Sequence, residues 1–139
     1  MNDKFFLDTN VFVYSFDERY PAKQKKAQDL IEKALSGQKG VVSYQVVQEF
    51  LNVAQRKFEK PMTAHECRAY LDEVLWPLCA ASPSVGLYRR ALELKDEMNV
   101  HFYDALIIGS AEEAGCKILY TEDLQANQHI AGLIIQNPF

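Results

Sequence analysis

Apolar and polar positions along the chain fall into short apolar runs separated by longer stretches of helical spacing. Phe5-Phe6-Leu7 is a tight apolar run that stops at Asp8, as a short buried strand does. From Lys23 to Leu35 the residues Ala27, Leu30, Ile31, Ala34 and Leu35 share one stripe and predict a helix. It stops in Ser36-Gly37-Gln38-Lys39-Gly40, where Gly37 is the natural residue after the last turn. Val41-Val42 predicts a second strand. Ser43 can cap the next helix, in which Val47, Phe50, Leu51, Ala54 and Phe58 recur until Pro61 marks its end. Thr63 and Glu66 stand at capping-box spacing and open a helix running to about Leu75. Trp76 to Ala81 predicts a weak third strand, Ser84 to Met98 a helix, and Phe102 to Ala114 a strongly apolar helix closed by Gly115. Cys116 to Tyr120 and Gly132 to Gln136 predict the last two strands.

Strands alternating with helices predict an α/β fold, a mostly parallel central sheet of about five strands flanked by helices. No linker, repeat or low-complexity tract interrupts the 139 residues, so one domain over residues 1–139 is expected, long enough for a sizeable core. In open parallel sheets, ligands bind outside the carboxyl ends of the strands. Polar residues just past strand ends, or in first helical turns, are therefore the candidates for chemistry.

Four acids meet that description. Asp8 follows the first strand in Leu7-Asp8-Thr9-Asn10, and Asp123 follows the Cys116–Tyr120 strand in Tyr120-Thr121-Glu122-Asp123. Asp104 lies in the first turn of its helix on the stripe of Ile107, Ile108 and Ala111, which points its carboxylate inward, where a partner is required. Glu49 sits between Val46 and Val53 on the shoulder of an apolar face. Taken singly, each has a plainer role: Asp8 and Asp123 as turn or cap residues, Asp104 as a first-turn acid, Glu49 as a solvated helix residue. Taken together, with no matching buried Lys or Arg, they point to a cation from solution. Oxygen-only ligation suits Mg²⁺ or Mn²⁺ rather than zinc. Thr9, Asn10, Ser43 and Thr121 can orient such ligands or contact phosphate, with plain capping or turn roles open to Asn10 and Thr121. Glu122 adds a fifth acid beside Asp123, and the residues alone do not say which of the two faces the cation.

Composition narrows the picture. The net charge of −4 argues against gripping nucleic acid by bulk electrostatics, yet part of that charge is the acid cluster counted without a cation. Lys23, Lys25, Lys26, Arg56, Lys57, Lys60, Arg89 and Arg90 can touch phosphates, although such charges more often form a solvated face. Cys67, Cys79 and Cys116 form no metal-binding spacing and read as reduced thiols. His65, His101 and His129 have no evident catalytic partners. No apolar run approaches the roughly 18 to 20 residues that span a membrane. The opening Met1-Asn2-Asp3-Lys4 leads into too short an apolar stretch for a signal peptide, so a cytoplasmic protein is expected.

Four segments in order, Leu7-Asp8-Thr9-Asn10, Gln48-Glu49-Phe50, Tyr103-Asp104-Ala105-Leu106-Ile107 and Leu119-Tyr120-Thr121-Glu122-Asp123-Leu124, carry a family resemblance, as does the closing Gly132-Leu133-Ile134-Ile135-Gln136-Asn137-Pro138-Phe139. The sequence resembles the PIN-domain nucleases, particularly the VapC-type toxins of bacterial toxin–antitoxin pairs, over essentially its whole length. The resemblance implies a Rossmann-like sheet and magnesium- or manganese-dependent RNA cleavage. It also implies a cognate antitoxin and an acidic cluster of Asp8, Glu49, Asp104 and Asp123, and by motif it favours Asp123 over Glu122. It further implies a homodimer, for which apolar helix faces near Trp76 and Tyr88 are suited. Asp8 and Asp104 are expected as direct cation ligands, with Glu49 and Asp123 completing the site or binding through water. Two rivals are weaker. A haloacid-dehalogenase-type phosphatase needs a second acid where Asn10 stands, and a PIN-like binding or scaffolding module without catalysis is expected to have lost an acid.

Overall fold

Three consecutive buried residues, Phe5, Phe6 and Leu7, make β1 (Phe5–Leu7) a strand covered on both faces, as the centre of a parallel sheet must be. In the computed structural model, which describes residues 3–139, β1 pairs in parallel with β2 (Gly40–Ser43) on one side and with β4 (Ile118–Tyr120) on the other. Met1 and Asn2, which begin the polar opening, lie outside the described residues. Beyond β2 lies β3 (Cys79–Ala81), and beyond β4 lie β6 (Leu133–Gln136) and β5 (His129–Ile130), giving the order β3-β2-β1-β4-β6-β5. Every pairing is parallel except β5 with β6. The expected sheet of about five strands has six, the addition being the two-residue β5.

The helices are α1 (Thr9–Tyr14), α2 (Pro21–Gly37), α3 (Tyr44–Arg56), α4 (Ala64–Tyr70), α5 (Trp76–Leu78), α6 (Val85–Met98) and α7 (Phe102–Glu113). Apolar α7, with Ala105 to Ala111 continuously buried, packs on β2, β3 and β4 and carries α6 on its outer side. On other strands and helices, α2 packs against β2, and α1 against α2 and α3. Phe6, Phe12, Phe50, Ile108, Leu119 and Ile135 are fully buried at the centre of one continuous core. The Thr63–Glu66 capping box is complete, with both reciprocal bonds formed.

Three expectations shift, the first at α3, which ends at Arg56 and neither carries Phe58 nor runs on to Pro61. The α2 helix runs through Gly37, and Gln38 takes the left-handed position (φ 56°) instead. A glycine is needed two residues later: at Gly40 a Cβ would collide with Ala34, so the bare backbone lets β2 run close under α2. Trp76–Leu78 is helical, continuing a π-helical turn over Leu71–Leu75, so only Cys79–Ala81 remains as β3. Pro77 cannot donate the bond that a regular α-helix would need there, and the chain turns into the strand. Helix α1 was not predicted, since Thr9 to Tyr14 is too short for a periodic signal.

Candidate active site

The switch in strand order around β1 puts a crevice at the carboxyl ends of β1 and β4, and both strands end in polar residues. Asp8 follows β1 directly, its backbone N–H bonded to the Tyr120 carbonyl at 3.0 Å. Its side chain caps α1, one oxygen accepting from the Thr9 N–H at 2.7 Å. The other accepts from the Thr121 hydroxyl at 2.8 Å. Thr121 is wholly buried, and its oxygen also accepts from Asn10 Nδ2 at 3.3 Å and from the Asp123 N–H at 3.1 Å. One hydroxyl thus ties together the ends of β1 and β4. Asn10 Nδ2 reaches on to Asp123 Oδ2 at 3.1 Å, while Asn10 Oδ1 is buried with no hydrogen-bond partner among the described residues.

The other two acids come from helices facing the same space. Glu49 on α3 accepts from the Thr9 hydroxyl at 2.6 Å through one oxygen and from Gln45 Nε2 at 3.4 Å through the other. Asp104, in the first turn of α7, is half-buried and makes no side-chain hydrogen bond among the described residues. All four acids line one open cavity of about 430 Å³, together with Thr9, Asn10, Tyr14, Gln45, Asn52, Tyr103 and Glu122. None of the four is in an ion pair among the described residues, whereas Glu122 is paired with Lys23 at 3.3 Å.

The electrostatics reflect that lack of partners. Burial pushes the Asp8 carboxyl up to about 7, opposed by the Thr121 and Thr9 bonds and reinforced by Asp123 and Glu49. Asp104 is also raised, first by burial and then by Asp123, with Glu49 adding to it and His101 opposing. These couplings place all four carboxylates in one electrostatic neighbourhood. No three acids, histidines or cysteines among the described residues close on a ready-made coordination shell. The bonds to Thr9, Thr121 and Asn10 set where the Glu49, Asp8 and Asp123 carboxylates stand. The donor set nevertheless fits a hard divalent cation: oxygens only, no basic partner, and the orphaned Asn10 Oδ1 buried beside them.

Of the residues predicted for this site, Asp8, Thr9, Asn10, Glu49, Asp104, Thr121 and Asp123 meet here. Ser43 does not. It caps α3 through the Val46 N–H at 3.4 Å and lines a separate hollow with Tyr44, Tyr88 and Tyr103. Gln45 and Asn52 were missed, although each lies one helical turn from Glu49 on the same face. Tyr14, at the end of the unpredicted α1, left no such signal. Among the basic residues, Arg90 is held by Glu112 and Lys25 by Asp29, while Lys23 approaches the cavity rim through Glu122. His65, His101 and His129 are exposed and line no part of the cavity. Cys67 and Cys116 are buried free thiols and Cys79 is half-buried. No helix among the described residues is long and apolar enough to cross a membrane.

A mostly parallel sheet flanked by helices, with acids gathered at the carboxyl ends of its central strands, defines a class that the sequence comparison identifies. The PIN domain family model matches residues 5–130, and the chain belongs to that family. No curated protein matches the chain in sequence. Similar solved structures include a toxin–antitoxin complex from Klebsiella pneumoniae, with 18% identity, a TM-score of 0.72 and 98% of each chain covered. DNA-bound VapBC from Salmonella typhimurium is similar at 19% identity and a TM-score of 0.69, covering 99% of each chain. A sarcin-ricin loop cleaving VapC toxin from Mycobacterium tuberculosis aligns with 17% identity and a TM-score of 0.55, over 84% of this chain and 87% of that one. At these identities the likeness is one of fold.

Proposed function

We propose that this PIN domain is a ribonuclease that hydrolyses RNA phosphodiester bonds with magnesium or manganese, and that it is the toxin of a toxin–antitoxin pair. The observation that carries the reading is the cavity in which four carboxylates, none in an ion pair among the described residues, line one space. Without a cation that space would repel a polyanion, and with one it would welcome a phosphate. Asp8 and Asp104 would hold the ion directly, and Glu49 and Asp123 would complete its shell or reach it through water. A divalent ion bound there supplies charge that polarises a phosphoryl oxygen and acidifies water.

The chain's own groups prepare that chemistry. Thr121 and the Thr9 N–H fix both Asp8 oxygens, so the most buried acid is aimed before anything binds. Thr9 holds one Glu49 oxygen firmly and Gln45 touches the other only at 3.4 Å, which leaves Glu49 an oxygen able to take a proton from water. Asn10 steadies Asp123.

Toxin–antitoxin partnership draws support from similar folds described as such complexes. An antitoxin Arg reaching the carboxylates would block the site, since a guanidinium can stand in for the cation. Exposed Trp76, 5.7 Å from the Tyr44 ring, and exposed Tyr88 suit a homodimer face. Light scattering at tens of micromolar should show the dimer, and co-expression with the neighbouring gene product should yield a complex. A protein acting on cellular RNA in this way would work in the cytoplasm.

The deciding assay is RNA cleavage by the purified protein with Mg²⁺ or Mn²⁺, with chelator, and by Asp104→Asn. Cleavage that chelator and the substitution both abolish supports the enzyme. If metal-supplied wild type cuts no RNA yet binds it or a protein partner, the binding-module reading stands instead.

A further inference from the structure

Two adjacent acids follow Thr121, and they are treated in opposite ways. Asp123 is exposed, and among the described residues its carboxylate is held only by Asn10 Nδ2 at 3.1 Å. Glu122 has both oxygens engaged: Tyr14 Oη donates to one at 2.7 Å and Lys23 Nζ to the other at 3.3 Å. Lys23 also bonds Tyr14 Oη at 3.3 Å and lies 4.6 Å from the centre of the Tyr14 ring, with the Tyr20 and Phe139 rings at 5.5 and 5.7 Å. The Tyr14 and Phe139 rings meet edge to face at 4.8 Å. The clasp therefore joins α1, α2, the turn after β4 and the C-terminal residue. The pair is only partly buried, and it stands at the rim of the cavity that Glu122 shares with Asp123.

The structure assigns Tyr14 and Lys23 a positioning role: they hold Glu122 away from the cation, so that Asp123 and not its longer neighbour serves as ligand. The inference rests on the cation site proposed above. Glu122 lines the same cavity as Asp123. Released, its carboxylate would bring a fifth negative charge and could take Asp123's place from a different distance and angle. The clasp prevents this by using both Glu122 oxygens and balancing its charge with the Lys23 ammonium, whose own position is fixed by three aromatic rings. Neither Tyr14 nor Lys23 needs to touch the cation for this.

The test is a mutant cycle read by calorimetric Mn²⁺ binding to the full chain without RNA. With the clasp intact, Asp123→Asn should weaken Mn²⁺ binding about 10-fold. In the Tyr14→Phe/Lys23→Met background the same substitution should cost about twofold or less, because Glu122 substitutes. Adding Glu122→Gln to that background should restore the full Asp123 penalty. Melting in chelator checks that each variant folds, and Lys23→Gln alone replaces the double variant if it does not. An equal Asp123 penalty in both backgrounds, within the roughly twofold scatter of independent sites, overturns the positioning role while the cation site stands. If wild type takes up no Mn²⁺ at all, the cation site itself has failed and the positioning role with it.

Discussion

Helix α7 carries Asp104 near its start and Glu112 near its end, and these two acids are accommodated differently. Glu112, in the last turn, faces the unfavourable end of the helix dipole and is gripped by Arg90 of α6 through two parallel bonds of 2.8 and 2.9 Å. Asp104, in the first turn, has the favourable end of the dipole but no side-chain hydrogen bond or basic partner among the described residues, and burial raises its pKa. An acid that serves only to join helices receives a cation from the protein. One left half-buried among three other acids is what the cation site proposed above would need. On the function proposed above, the same helix carries an architectural carboxylate at one end and a chemical one at the other.

The largest effects should separate these ends. Asp8→Asn or Asp104→Asn should lower RNA cleavage at least about 100-fold, measured as single-turnover rate in saturating Mn²⁺. Arg90→Met should leave that rate unchanged for the folded protein and instead lower stability by about 1 kcal/mol, read in urea unfolding. An Arg90 variant that folds normally but has lost cleavage would break the division drawn between the two ends of α7.

The sheet and its crevice were legible because β1, β2 and β4 are apolar runs that end in polar residues. Asp8 and Asp123 could be placed at strand ends, Asp104 on an inward-facing helical stripe and Glu49 on the shoulder of an apolar helical face, by spacing alone. What escaped notice depends on side-chain reach and on elements too short to show a period. Helix α1 has six residues, β5 has two, and Tyr14 and Lys23 meet Glu122 only after about a hundred residues of chain have folded between them. Ser43 went astray for a related reason. It stands just past a strand end like Asp8, but β2 lies on the far side of β1 from β4, and its hydroxyl is taken by a cap.

A smaller effect concerns pH. With its folded carboxyl raised to about 7, Asp8 favours the folded state most when protonated. Its contribution to the metal-free protein is fully present below the ordinary carboxylate pKa and is lost as pH rises through 7. Metal-free wild type should therefore lose stability from pH 5 to 8 more steeply than Asp8→Asn, in denaturant titrations at each pH. Parallel curves would show that Asp8 is not buried as a strained acid.

The central claim, that these unpaired acids await a cation, is tested most directly by thermal melts of wild type and Asp104→Asn in chelator and in millimolar Mn²⁺. Wild type should gain about 2.7 kcal/mol when free metal is 100 times its dissociation constant, a shift of several degrees. Asp104→Asn, relieved of one repelling charge, should melt at or above wild type in chelator and gain far less from Mn²⁺. No metal shift in wild type, with Asp104→Asn simply melting lower in chelator, would make Asp104 a structural cap and contradict the account.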